Sequence, residues 1–503
     1  MTPTDRAGER LVREPSLFDA ILPLIVLVVL IGGAILMFGL DALDGPIPTA
    51  LVVCAMVASL IVLKNGHPFS EIQASATRAM GSITSAIFIL LAVGALIGTW
   101  CLSGTIPTLV YYGIRLLSPG WFYAASTIIC GAIALSIGSS WTTAGTIGVG
   151  LVGIATMLGV SPAITAGAVI SGAYLGDKLS PLSETTILTA QMVEIDLYQH
   201  IRRQAWTSIP AFLIGLVLFF VIGLRTPQAT AVDTAVELKE LDQVFNITFW
   251  NLLPLVLLVV LSIRKAPASL ALMGSAIFAG ALAMFTQPQI VRDFAGVPGI
   301  GILHAGVRST WLAMSTGFSI ESGFGDIDRL LSRGGMYSML LTLWLIMGAV
   351  TFGTLLDEFG LIKRLIDPLV NAAKGTGRLF LTVFASAFGL NIIAGDQYIA
   401  LVLPARTFRA EFAKRGLHPA MLSRLCADSG TVTSPLVPWN SCGAFMGAVL
   451  GVPTLAYLPF CFFNILSPVL SVLYGFTGFK IEKTEPNAPG GTTTEETPAD
   501  KVA

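Results

Sequence analysis

The chain has 503 residues, 54% of them hydrophobic and only 12% charged, with a mean hydropathy of +0.79. Soluble domains carry about 25% charged residues, so the composition excludes a soluble globular protein and describes a polytopic membrane protein. A formal net charge of −1 argues against a nucleic-acid partner.

Residues 1–17 are polar and carry Arg6, Arg10 and Arg13. The apolar run that follows, to about residue 40, is too long for a signal-peptide core and lacks a small-residue cleavage site, so it reads as an uncleaved anchor. Further stretches of spanning length fall near 46–63, 80–102, 207–224, 249–263, 267–285, 336–357 and 455–476. The regions 120–192 and 379–450 are apolar but interrupted. From about Lys480 the chain is rich in Thr, Pro, Glu and Gly and reads as a disordered tail. Six cysteines (Cys54, Cys101, Cys130, Cys426, Cys442, Cys461) sit singly in apolar runs and read as packing residues. The four histidines fall in apparent loops and offer no metal-hydrolase pattern.

Lys and Arg mark cytoplasmic loops. On that rule the N-terminus, Lys64 to Arg78, Arg202–Arg203, Arg264–Lys265 and Lys363 to Arg378 lie inside. Gly176 to Leu182 matches Gly430 to Leu436, 254 residues later. Gly94 pairs with Gly348, Gly104 with Gly360, and Ala144-Gly145 with Ala394-Gly395. These anchors point to one unit used twice, and charge parity makes the two copies inverted. Each copy then holds a re-entrant hairpin and a broken transmembrane helix. The first tip lies near Ser139-Ser140, and the breaks fall in 161–192 and 419–450. The expected architecture is all-α, with about ten full spans and both termini cytoplasmic. Its segments are 1–17 (tail), 18–79 (first helices), 80–192 (first repeat), 193–334 (connecting helices and external loops), 335–450 (second repeat), 451–479 (last span) and 480–503 (tail).

The chemistry concentrates at the breaks. Asp177, Lys178 and Glu184 interrupt an apolar segment, and an ionisable group at bilayer depth costs from about 3 to above 10 kcal/mol. Pro181 prevents regular helix there, leaving Ser180, Ser183 and Thr185 beside the carboxylates. Oxygen-only ligands of this kind suit a hard cation such as sodium, with Asp177 and Glu184 as its acidic ligands. The second break contributes Thr431, Thr433, Ser434 and Asn440, with Asp428 just before it. The hairpin tips add Ser139, Ser140, Thr142 and Thr143 on one side, Asn391 and Asp396 on the other. Lys178 reads first as the charge partner of a carboxylate; Asp396 and Asp428 fit either the site or partnership with Arg424. No nucleophile–base pair or metal triad can be assembled, so an intramembrane enzyme has no support, and no cofactor is expected.

The run from Gly172 to Gln191, with Gly-Asp-Lys-Leu-Ser-Pro-Leu-Ser-Glu-Thr-Thr at 176–186, resembles the NhaC-type sodium/proton antiporter family. Asp428 through Asn440 is similar to that family's matching segment. The resemblance covers about 18–476. It implies the ion transporter superfamily fold, a prokaryotic inner membrane, and proton-driven sodium extrusion with sodium and protons as partners. Similar sequences include exchangers of organic acids such as malate and lactate, so small organic anions, and amino acids, stand as the alternative cargo; a homodimer is also open. The expected mechanism is competition between one proton and one sodium ion at Asp177 and Glu184.

Overall fold

The structure is a computed structural model that describes residues 12–226 and 231–483. Arg6, Arg10 and the tail from 484 onward lie outside the described residues. The described chain is helical, with two isolated β-bridges, Phe318–Arg333 and Leu417–Lys483.

The first apolar run forms α1 (Leu17–Phe38), started by a capping box in which Ser16 and Asp19 each take the other's backbone N–H. It packs on α2 (Pro46–Lys64). The amphipathic α3 (Phe69–Ser82) leads into α4 (Thr84–Leu102), and Gly104, at φ +75°, turns the chain into the short α5 (Thr105–Leu116). The first hairpin is α6 (Phe122–Ile137), a tip at Gly138-Ser139, then α7 (Ser140–Thr143), a π-turn over Ala144–Gly148 and α8 (Val149–Met157). Gly138 has φ +79°, and a Cβ there would also strike the backbone of Leu182, so the tip is glycine on two counts. The broken helix is α9 (Pro162–Leu179), a four-residue break that turns at Pro181-Leu182, and α10 (Glu184–Met192).

The connecting region holds α11 (Leu197–Arg225), α12 (Ala231–Val244), α13 (Leu253–Ile263) and α14 (Ala268–Thr286). The stretch expected as an external loop with interfacial pieces forms α15 (Pro288–Ala295), α16 (Ile302–Ser315) and α17 (Gly325–Leu331). α16 is packed into the bundle: Gly98 of α4 abuts the Ala313 carbonyl, and Gly280 of α14 abuts Thr310.

The same order of elements then recurs. α18 (Leu340–Glu358) and α4 both have 19 residues; Gly360, also at φ +75°, precedes α19 (Leu361–Ala372), which like α5 has 12. A second hairpin follows, α20 (Thr376–Ile393) and α21 (Gln397–Lys414), with Gly395 at φ +62° in its tip. The second broken helix is α22 (Pro419–Cys426), a π-turn over Ala427–Thr431, a 3-10 turn over Ser434–Leu436 and α23 (Ser441–Leu450). The chain closes with α24 (Thr454–Tyr457) and α25 (Phe462–Thr477).

Helix starts correspond at 256 residues (84 and 340, 105 and 361) and at 257 (140 and 397, 162 and 419, 184 and 441). Two sequence anchors are thereby corrected. Ala144-Gly145 lies in a hairpin arm, whereas the counterpart of Gly395 in the second tip is Gly138. Ser434-Pro435-Leu436 sits three residues early, because the second break is longer than the first. Among the described residues eight helices have the length and apolarity to cross a membrane, or up to ten with two bent pairs counted as spans. Lys480 to Lys483, expected to belong to a disordered tail, are instead tied to the protein, with the His418 N–H bonded to the Glu482 carbonyl at 3.0 Å.

Candidate functional site

Pro181 has no N–H to donate to the Asp177 carbonyl, so α9 ends just before it. The Thr186 hydroxyl donates to the freed Asp177 carbonyl at 2.9 Å and to that of Lys178 at 3.2 Å. Ser180 Oγ donates to the Leu135 carbonyl at 2.9 Å, pinning the break to the first hairpin. The Asp177 side chain is thus held at a helix end against the hairpin tip. Its Oδ2 accepts from Ser140 Oγ at 2.7 Å; its Oδ1 accepts from Ser183 Oγ at 2.5 Å and Thr185 Oγ1 at 3.5 Å. Asp177 is only 6% exposed. One carboxylate and three hydroxyls form an oxygen-only nest contributed by α9, α7, the break and α10. Ser139, beside it, caps α7 by accepting from the Thr142 N–H at 3.2 Å.

Glu184 departs from expectation. It is exposed rather than buried, and its carboxylate accepts from Tyr398 Oη of the second hairpin at 3.1 Å. Both carboxylates line one cavity of about 860 Å³, whose wall also includes Arg78, Lys265, Asp357, Glu358 and Asp396. Arg78 is engaged with Glu358 at 2.6 and 2.8 Å. Asp396 caps α21, accepting from the N–H groups of Tyr398 and Ile399 at 2.8 and 3.1 Å. Both hairpin tips and the starts of α10 and α23 therefore meet at the cavity floor.

The second break is held by amides. Asn391 Nδ2 donates to the Gly430 carbonyl at 2.6 Å and to Thr433 Oγ1 at 3.0 Å, while its Oδ1 accepts from Asn440 Nδ2 at 3.0 Å. Ser434 Oγ donates to the Thr431 carbonyl at 2.7 Å, the group that Pro435 leaves without a backbone donor. Thr431 is buried, and its hydroxyl has no hydrogen-bond partner among the described residues. None of these side chains hydrogen-bonds Asp177.

Asp428 also lies apart from the Asp177 nest. It is fully buried and paired with Lys178, which donates as well to Ser467 Oγ at 2.6 Å. Consecutive residues of α9 thus face two different polar centres. Sequence reasoning missed Thr186, Tyr398 and the partners of Asp428 on α11, Gln204 and Thr207. For the α11 pair the signal was present: Gln204, Thr207 and Ser208 fall at i, i+3 and i+4 where the polar first turns of the helix meet its apolar second half. His200, expected in a loop, is buried on the same face of α11 and bonded to Ser423 at 2.8 Å. Among the described residues no three His, Cys, Asp or Glu side chains group as a metal cluster.

Interrupted helices and hairpins that enclose a polar centre beneath a cavity define a multi-span membrane protein built like a secondary transporter. The chain belongs to the Na+/H+ antiporter family, whose model matches residues 14–202 and 172–479. It is 36% identical over 435 residues to the Na(+)/H(+) antiporter NhaC of Alkalihalophilus pseudofirmus, covering 86% of this chain and 91% of that protein. It is 34% identical over 478 residues to the malate-2H(+)/Na(+)-lactate antiporter of Bacillus subtilis, covering 95% and 98%. It is 32% identical over 480 residues to the arginine/ornithine antiporter ArcD of Halobacterium salinarum, covering 94% of each. The family is one of transporters, not of enzymes.

Proposed function

We propose that the protein exchanges sodium for protons across a prokaryotic plasma membrane, with Asp177 as the shared berth. One observation carries this reading: a buried carboxylate ringed by Ser140, Ser183 and Thr185 at the floor of an acidic cavity. Sodium is satisfied by carboxylate and hydroxyl oxygens, and each hydroxyl retains lone pairs to offer. The occupied carboxylate, carrying either a proton or sodium, is neutral and can face either side; the empty charged form is disfavoured by burial. Proton entry then drives sodium exit. The duplicated elements, read as inverted copies, supply alternating access, and the Lys/Arg distribution keeps both termini cytoplasmic.

The cavity wall favours cations. Asp177, Glu184, Asp357 and Asp396 face Lys265, with Arg78 neutralised by Glu358; such a surface concentrates cations and repels a dicarboxylate. It also supports a second reading, a cationic amino acid as cargo, since about 860 Å³ far exceeds the needs of a sodium ion. In membrane vesicles, Asp177→Asn is expected to lower sodium-dependent proton flux by more than about 100-fold, the scale on which losing a site's only charged ligand acts. Undiminished flux in a folded variant overturns the assignment. Adding arginine, malate or lactate to the same assay identifies any organic cargo.

A further inference from the structure

Behind the Asp177 nest a second polar stripe runs between α11, α22 and α25. His200, Gln204 and Ser208 repeat every four residues on α11; Arg424 and Asp428 stand one turn apart on α22 and its π-turn; Ser467 and Ser471 do so on α25. All are fully buried. His200 Nε2, Gln204 Oε1, Ser208 Oγ, Ser471 Oγ, Asp428 Oδ2 and two nitrogens of Arg424 have no hydrogen-bond partner among the described residues. Buried donors and acceptors are nearly always paired with protein or water, and a mixed run of both is what internal water satisfies. At one end Arg424 Nη1 donates to the Lys480 carbonyl at 3.3 Å and Arg203 pairs with Glu482 at 2.8 Å, which places residues 480–482 across that end of the stripe. At the other end, Asp428 Oδ1 is occupied by Lys178, Ser467, Gln204 and Thr207. Its Oδ2 has no partner among the described residues.

We propose that Asp428 is a second proton site, reached from the cytoplasm through a water file along this stripe, and that it acts on the sodium site through Lys178. The inference rests on Asp177 holding sodium. A proton arriving through water binds Oδ2 of the Asp428 carboxylate; Lys178 keeps its own protons, so the pair passes from neutral to singly positive. The uncompensated ammonium, on the residue next to Asp177, then disfavours sodium there. By reciprocity, sodium at Asp177 expels the Asp428 proton to the cytoplasm. The titratable groups that face Asp428 are Lys178 from α9, His200 from α11, and Arg424 and Cys426 from α22; Arg203, Tyr474 and Glu482 in turn face Arg424.

The test is sodium titration of the purified full-length protein by calorimetry across a pH series. In the native protein two protons compete with one ion, so affinity falls by more than about tenfold per pH unit over part of the acid limb; in Asp428→Asn it falls by at most about tenfold. Equal slopes overturn the second site. Asp177→Asn separates the readings: retained sodium binding there removes the sodium site itself, whereas loss there with equal slopes in Asp428→Asn removes only the proton site. Because Asp428→Asn leaves Lys178 buried without a counter-charge, a second variant addresses the file directly. Ser471→Leu fills it with an apolar side chain. Exchange in vesicles should slow by about tenfold or more, while sodium affinity and its pH slope stay native. Native rates in Ser471→Leu overturn the file.

Discussion

Two prolines decide the local structure of the breaks, and two hydroxyls repair what they leave. Pro181 frees the Asp177 carbonyl and Pro435 frees that of Thr431; Thr186 and Ser434 donate to them. Proline, serine and threonine in an apolar segment are legible in the sequence as a break. Less legible is which hydroxyl meets each freed carbonyl, because Thr186 does so from the next helix and Ser434 from just before its proline. Both freed carbonyls are accordingly engaged by side chains. Thr186→Val should leave buried carbonyls short of a donor and cost about 1–3 kcal/mol. A lowered melting temperature in Thr186→Val, with Thr186→Ser near native, would bear this out; equal melting of all three would refute it. Lys178 illustrates what sequence could not resolve. A buried lysine needs a counter-charge, but Asp177, Glu184, Asp396 and Asp428 were all available, and only the packing of α9 on the second half selects Asp428.

At the scale of elements, the hairpin tips, the breaks and the recurring order of helices were readable, since glycine and proline punctuate them. The register was not. Letter matching aligned Ser180-Pro181 with Ser434-Pro435, yet the second break spans a π-turn and a 3-10 turn that the first lacks. Packing between elements shows in the glycines. The first hairpin arm lies directly on α9: a Cβ on Gly172 would strike the Thr127 carbonyl, and one on Gly176 would strike the backbone of Ala134 and Leu135. Small residues four apart let two membrane helices approach backbone to backbone. Gly176→Ala therefore forces α6 off α9 and should destabilise by about 1–3 kcal/mol, the usual scale of overpacking. Because α6 carries the tip that presents Ser140 to Asp177, sodium affinity should fall as well. Gly32→Ala is the control. It meets nothing within 4 Å, so helix propensity alone acts and stability should hold or rise by about 0.5–1 kcal/mol. Comparable thermal shifts in the two variants would contradict the close-approach argument.

For the whole molecule, contacts between the duplicated halves set what any rearrangement must break. Lys178 pairs with Asp428, Glu184 with Tyr398, and Glu194 with Arg409. The last pair is exposed, and the Arg409 guanidinium holds the Glu194 carboxyl below the usual carboxylate range. A lowered carboxyl pKa means that this clamp is complete above the ordinary carboxylate value and is lost as pH falls through the lowered one. High salt should weaken it too, because exposed pairs are screened. The remaining barrier is thin. The first cavity reaches Ser441 at the start of α23; a second, of about 820 Å³, lies beside Asp41, Asp44 and Arg333 and reaches Gly443, Ala444 and Ala448 of the same helix. Ser441 and Ala444 are about 4.5 Å apart along the axis. One turn of α23, backed by the Trp141–Phe445 stack at 4.1 Å, therefore separates the two cavities. The positive-inside expectation puts the first mouth, which carries Arg78 and Lys265, at the cytoplasmic face. A charged, membrane-impermeant thiol reagent should then modify Ser441→Cys only from the cytoplasmic face and Ala448→Cys only from the opposite face. Native cysteines give little background, since all six are buried. Modification of both variants from one face would mean that α23 is not the seal, and that the two cavities belong to a single continuous space.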